Sequence, residues 1–284
     1  MNKKTNSILK TYLLCFILLS GLGSCTKVNR NDDVKAGDPP PVVGGFTLSS
    51  QVAASNLVGY WGFENEIKDA VSNTIGTNKG MKFSSGLKGK ALEGSQNRSD
   101  MAYAFTTPSA AVKSMNQYTV SCWVNTNENI GATGVFSIGN MQEFWGNINI
   151  FLENGNTSSK ARFKTIFRNG NFQADNNIQD VENGFNKWTN YVISYSNTGV
   201  FSSYVNGTLA ATKTVPTTAV TFDNIGPIVF GTLHFMTNPS STTASTEQPW
   251  AGYLRGKIDE VRIFNRALTP NEVSALSILE RQGR

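Results

Sequence analysis

The sequence predicts an all-β fold, a sandwich of two antiparallel sheets with a short C-terminal helix. Three observations lead there. Short apolar runs alternate as half-buried strands do, Gly and Asn turn signals separate them, and a helical pattern is confined to the end of the chain. The lack of alternating strands and helices argues against a Rossmann sheet or a βα barrel, and the lack of a repeat of constant period against a propeller or a solenoid.

Taken in order, LVGYWGF at 57–63 is aromatic and β-branched. YTVSCWVNT at 118–126 alternates, which puts Tyr118, Val120, Cys122 and Val124 on a core face and Thr119, Ser121 and Trp123 on the opposite one. GVFSIG, NINIFLE, ARFKTIF, WTNYVISYS, VFSSYVNG, AVTFDNI and KIDEVRIFN continue the pattern. SNTG joins YVISY to VFSSYV, and Asn206-Gly207 joins VFSSYV to TLAATKTV, a dipeptide suited to a tight hairpin. The 31 Asn residues fit a fold with many such turns, since Asn tolerates left-handed backbone. In LTPNEVSALSILERQ, Thr269 is the N-cap, Pro270 opens the helix, Glu272 completes a capping box, and Val273, Leu276 and Leu279 form the apolar stripe. Trp61, Trp123 and Trp188 sit in these strand patterns and read as core.

The chain has 284 residues, 39% hydrophobic and 16% charged, enough for one core and too apolar for disorder. Its formal charge is +5, but Lys3, Lys4 and Lys10 all precede Cys25, so a chain starting there carries 22 basic against 20 acidic residues, or +2. That balance, with no basic cluster, argues against nucleic-acid binding, which requires many neutralised phosphates. The leader has a basic start and an apolar run from Tyr12 to Leu19 that is too short to span a bilayer. LGSC, ending at Cys25, resembles a bacterial lipobox. Residues 1–24 therefore read as a lipoprotein signal peptide, Cys25 as the lipidated terminus, 25–45 as a Pro- and Gly-rich flexible tether, and 46–284 as the folded domain. The expected location is the bacterial outer membrane, lipid-anchored, facing the periplasm or the outside. Cys122 is then the one cysteine left, with neither a disulfide partner nor a zinc-type pair, and reads as a small core residue.

LVGYWGFENEIKDA, SGLKGKALEGS, YTVSCWVNT, WTNYVISYS, VNGTLAA and GKIDEVRIFNRALTPNEVSAL, in that order over 57–279, resemble the signature blocks of a laminin-G-like domain of the concanavalin A-like lectin/glucanase superfamily. The resemblance implies a jelly roll of two curved antiparallel sheets and carbohydrate binding, often with a structural calcium. It carries the calcium role to Glu64, Asp69 and Asp259, or Glu260 in place of the last. The bland reading of those acids is as turn and loop-bonding residues, and there is no DxDxDG-type loop.

Sugar recognition needs aromatic faces beside amides and charged groups. MQEFWGNINIFLENGN supplies Phe144, Trp145, Asn147 and Asn149; RNGNFQADNN adds Arg168, Asn171, Phe172 and Asn176; and Trp250 closes a polar stretch beginning near His234. Trp145 is the expected stacking residue, with Asn147, Arg168 and Trp250 around it; packing is the competing role for Trp145. His234, the sole histidine, cannot form a histidine-rich metal site. The resemblance to glucanases raises hydrolysis, but their E-x-D-x-x-E run is absent, and the adjacent acids of KIDEVRIF point to opposite faces of a strand. The sequence favours non-catalytic glycan binding, with poly- or oligosaccharide as partner. A glycoside hydrolase, and a surface adhesion or assembly protein with a protein partner, remain alternatives.

Overall fold

The computed structural model describes residues 40–97, 99–128, 131–153, 159–170, 172–216, 219–244 and 248–284. The leader and Cys25 lie outside the described residues. Among the described residues, no helix is long and apolar enough to cross a membrane.

The strands in chain order are β1 (Leu57–Trp61), β2 (Thr77–Lys79), β3 (Lys82–Ser85), β4 (Lys90–Glu93), β5 (Tyr103–Thr106), β6 (Tyr118–Thr126), β7 (Ala132–Asn140) and β8 (Ile148–Glu153). They continue with β9 (Lys160–Asn169), β10 (Phe172–Glu182), β11 (Thr189–Tyr195), β12 (Val200–Val205), β13 (Thr208–Thr214), β14 (Ile225–Phe230), β15 (Ala251–Gly252) and β16 (Gly256–Phe264). Two α-helices accompany them, a one-turn α1 (Ala110–Lys113) and α2 (Pro270–Arg281). One sheet has the order β13-β12-β11-β6-β16-β4-β3, with β1 also on β16; the other has the order β10-β9-β8-β7-β14-β5-β2, with β15 on β7. This is the antiparallel sandwich the patterning predicts; β15, which runs parallel to β7, is the exception.

The inner faces meet in one apolar core. Tyr118, Val120, Cys122 and Val124 of β6 lie in it, as alternation requires, with Trp61 and Phe63 packed against Phe230. Burial pushes the Cys122 thiol up to about 12, so it is an inert packing group. The Asn206-Gly207 hairpin has positive φ at both residues, 51° and 80°, and six of the nine non-glycine residues with positive φ are Asn.

Each sheet also buries much of its outward face. Over the first, Val273, Leu276 and Leu279 of α2 pack on Val192, Tyr204 and Phe264. The capping box is formed: Thr269 accepts from the Glu272 N–H, and Glu272 accepts from the Thr269 N–H. Residues 41–45, at the end of the segment read as a tether, join this layer: Val43 bridges to Phe46, and both pack beside the helix. Under α2, Arg262 binds Glu280 at 2.6 Å and Glu260 at 2.8 Å, and its guanidinium lies 4.2 Å from the Tyr60 ring centroid. Glu280 also accepts from the Trp123 indole at 2.6 Å, and burial pushes its carboxyl up to about 7 even with Arg262 beside it. Trp123 is therefore buried on the helix side of its sheet, opposite Cys122.

Two expectations differ. AVTFDNI forms no strand until Ile225, where β14 begins. Trp188 is only half-buried and lies just before β11, outside the core. Removing Arg262 leaves two buried carboxylates without their shared cation. Arg262→Met is expected to destabilise the domain by roughly 3–5 kcal/mol in chemical denaturation, against about 1 kcal/mol for Thr269→Ala.

Candidate functional site

β7 is buried along its whole length, so both of its faces are covered. The outward cover is a separate apolar cluster. Phe151 and Ile166 rise from the sheet, Leu233, Phe235 and Met236 lie over them, and Phe144, Trp145 and Tyr253 pack at the margin. The rings interlock: Phe144 stacks on Phe235 at 4.5 Å, Trp145 stacks on Phe151 at 5.6 Å, and Trp250 lies 5.7 Å from Phe235 and 6.1 Å from both Phe144 and Trp145. Trp250, 41% exposed, is the wet edge of this layer.

His234 pins the two covering loops to the sheet. It is fully buried, with Nδ1 3.5 Å from Ser137 Oγ on β7 and Nε2 3.3 Å from the Glu143 carbonyl. Burial pulls its pKa down to about 4. It contacts no solvent and has no surface role.

Beside the layer, at the end of the sandwich where β6 runs out, a cleft of about 310 Å3 opens. Trp250 and Tyr253 line one part of it, and Arg255, Glu128, Asp100 and Asn97 supply polar groups. Trp250 is placed by main chain: its carbonyl accepts from Ala132 N at 2.9 Å, and β15, which follows it, pairs with the start of β7. Gly131 has φ +66° and lies so close to the Trp250 carbonyl that a Cβ there would collide with it. Arg255 Nη1 binds Glu128 at 2.8 Å, while its buried Nε has no acceptor among the described residues. Asp100 accepts from Ser95 Oγ at 2.6 Å and Asn97 Nδ2 at 3.0 Å.

Of the residues expected at a sugar site, Trp250 alone lines this cleft. Trp145 touches the Trp250 ring but is half-buried in the aromatic layer, so packing is its main role. Asn147 is 1% exposed, its amide donating to the Gly139 carbonyl at 2.8 Å and the Asp223 carbonyl at 3.2 Å; it holds loops together and cannot reach a ligand. Asn149 is likewise buried and bonded to Gly146 and Ile166. Arg168 is on the same sheet face but away from the cleft, bound to Glu143 at 3.3 Å and Gln173 at 3.3 Å. It lies among outward-facing ion pairs on β8 to β10, Arg162 with Asp180 and Lys164 with Glu153. Asn171 and the Asn176 side chain lie outside the described residues. Tyr253 and Arg255 lie in the connection between β15 and β16, where no periodic pattern marks them. The Arg255 partner Glu128 is distant in sequence, and no local signal joins the two.

The expected calcium acids do not assemble as a metal site. Asp259 accepts from the N–H groups of Leu87, Lys88 and Glu260; Glu64 accepts from Lys90 N; and Asp69 accepts from Tyr60 N, Val71 N and Ser72 Oγ. Glu64 and Asp259 do converge, across the length of the chain, on the 86–90 loop, whose N–H groups donate to both. Glu260 is taken by Tyr60 and Arg262. Among the described residues, no group of three or more His, Cys, Asp or Glu is arranged to hold a metal ion.

An antiparallel sandwich whose outward sheet face is roofed by loops, with an aromatic-edged cleft at one end, defines a concanavalin A-like jelly-roll domain. The family model described as Laminin_G_3, concanavalin A-like lectin/glucanases superfamily, matches residues 99–274, and the chain belongs to that family. No curated protein matches the sequence. Among solved structures it is similar to domain 4 of AbnA, a GH43 extracellular arabinanase from Geobacillus stearothermophilus, in complex with arabinotriose: 22% identity, TM-score 0.53, covering 78% of this chain and 98% of that one. It is also similar to the binding domain of Paraclostridial Mosquitocidal Protein 1, with 17% identity, TM-score 0.58, and 78% and 52% coverage. A third is the botulinum neurotoxin DC binding domain in complex with rat synaptotagmin II, with 15% identity, TM-score 0.57, and 81% and 52% coverage. The chain spans about half the length of these toxin domains. At such identities the likeness shows the fold.

The His234 pin makes a pH prediction. Its folded pKa lies below the unfolded value of 6.5, so its contribution is whole above pH 6.5 and is lost as pH falls toward 4, where the unfolded chain takes up the proton first. The loss amounts to about 3 kcal/mol. Denaturation midpoints of wild type and His234→Gln across that window are expected to diverge, the variant showing the shallower dependence.

Proposed function

We propose that this chain is a non-catalytic glycan-binding module, with a sugar unit stacked on Trp250 and hydrogen-bonded by Arg255, Glu128 and Asp100. The observation that carries the reading is Trp250 itself: in a layer of buried rings, it is the large aromatic left exposed at a polar cleft. A sugar has an apolar ring face and a rim of hydroxyls, and this lining offers an aromatic plane beside a guanidinium and two carboxylates. Arg255 lines the cleft, and its guanidinium has more N–H donors than the Glu128 pair uses, which suits a sugar hydroxyl. The AbnA domain, similar over nearly all its length, was solved with an oligosaccharide.

Asp100 and Glu128 in one cleft also raise glycoside hydrolysis, which uses two carboxylates across the scissile bond. Each is tied here to a neighbour, Glu128 to Arg255 and Asp100 to Ser95 and Asn97, in the manner of binding acceptors. Incubated with the protein, a retained oligosaccharide is expected to be recovered intact; release of reducing ends, abolished by Glu128→Gln or Asp100→Asn, would establish the hydrolase.

The test of binding is an array of linear neutral oligosaccharides that includes arabinotriose. Wild type is expected to retain at least one series, and Trp250→Ala to weaken retention about tenfold, the equivalent of ~1.4 kcal/mol, with an unchanged unfolding midpoint. Gly131→Ala, which displaces the Trp250 main chain without removing the ring, should weaken retention as well. Equal retention by wild type and both variants contradicts this assignment.

The proposal extends to presentation at the outer membrane through lipid on Cys25, supported by the leader pattern and LGSC. Cys25→Ser is expected to move the protein from the membrane fraction to the soluble one, and mass spectrometry of the wild-type N-terminal peptide should find acyl chains on Cys25.

A further inference from the structure

We infer that the domain carries a second glycan-binding site, built around Trp188. It borrows from the function proposed above only the class of ligand. A cleft of about 430 Å3 is lined by Trp188, Asn125, Asn183, Asn186 and Lys187, with Arg281 of α2 at its margin. It shares no lining residue with the Trp250 cleft.

Trp188 is set apart by what it does not do. Trp61 and Trp123 are sealed, and Trp145 and Trp250 belong to the aromatic layer. Trp188 is half-buried, has no aromatic neighbour, and its indole N–H has no acceptor among the described residues. The amides around it show the same pattern. Buried Asn140, Asn147, Asn149, Asn169 and Asn190 all hold other parts of the chain, whereas the side chains of Asn125, Asn183 and Asn186 make no hydrogen bond among the described residues.

Local backbone explains part of this. Asn183 and Asn186 have φ of 51° and 57°, so left-handed turns alone would favour Asn there. That reasoning does not reach Asn125, next to last in strand β6 where Asn is disfavoured, or Trp188, which joins none of the apolar clusters. Meanwhile the loop main chain is held: Gly184 N donates to the Val181 carbonyl, and Asn186 N donates to the Thr126 carbonyl at the end of β6. The held loop and the end of β6 thus present one aromatic plane, one indole donor and three amides with open donors and acceptors. That set matches a neutral pyranose or furanose unit, whose ring face stacks while its hydroxyls pair with planar amides. Of the two cations at the cleft, Arg281 is engaged with the Asn206 side chain and the Trp123 ring, which leaves the single charge of Lys187, too little to select a polyanion.

Two sites on one module would let a single chain grip a polysaccharide at two points and raise retention through effective concentration. The test is nuclear magnetic resonance of protein labelled with nitrogen-15 at tryptophan, its indole signals assigned with Trp188→Ala and Trp250→Ala, titrated with neutral pentose and hexose oligosaccharides of three to six units at millimolar concentration. The inference predicts that an oligosaccharide shifts the Trp188 indole in wild type and equally in Trp250→Ala, and that Trp188→Ala lowers retention on the matching immobilised polysaccharide at least tenfold. A Trp250 response with a silent Trp188 removes the second site and leaves the first. A Trp188 response that disappears in Trp250→Ala shows an indirect effect and also overturns it. Silence at both indoles across the panel overturns this inference and the function proposed above together.

Discussion

A sheet in a sandwich has two faces, and the central strand of the second sheet requires both to be dry. β7 has no exposed residue. Its inner side chains enter the common core, while its outer face needs a roof that the other sheet cannot supply. Residues 141–147, 231–244 and 248–253 provide it, with Phe144, Trp145, Phe235 and Met236 as the apolar layer and His234 as the polar pin. A layer of this kind ends somewhere, and at its edge Trp250 meets water. The need to cover β7 therefore places an aromatic ring beside the cleft that Arg255 and Glu128 line.

The other sheet solves the same problem differently. Its outward face is closed by α2, whose stripe packs on Val192, Tyr204 and Phe264, and by the buried Arg262 with its two glutamates. Such an arrangement adds little stability over apolar packing, but removing one member leaves charge without compensation. Glu280 is the residue through which the helix engages both Arg262 and Trp123. The first sheet thus has a helical roof fixed by charge, and the second a loop roof fixed by aromatic stacking. Loops are where binding groups concentrate on such scaffolds.

Sequence patterning made β6 and α2 legible because each repeats its period long enough to identify it, with a capping box marking the start of α2. β14 was displaced because Gly226 and Pro227 lie within it, residues that argue against a central strand; the structure accommodates them at a register shift between Ile225 and Ile228. β10, FQADNNIQDVE, is an edge strand too polar to read as one. At the site the limit is different. Trp145 and Asn147 carry the right chemistry but fold inward, since an Asn that bonds loop carbonyls and an Asn that meets a ligand are the same letter in a sequence. Arg255 and Glu128 become neighbours only when the β6–β7 loop meets the segment before β16. The acids read for calcium meet a related limit: Glu64 and Asp259 do approach one loop, and the loop supplies donors to both.

The account turns on where a glycan makes contact. Hydroxyl-radical footprinting of the intact protein, free and saturated with a retained oligosaccharide, measures this directly. The account predicts protection at Trp250 and Tyr253. Protection confined instead to the Arg162, Lys164 and Arg168 face of β9, with Trp250 modified equally in both states, would contradict it.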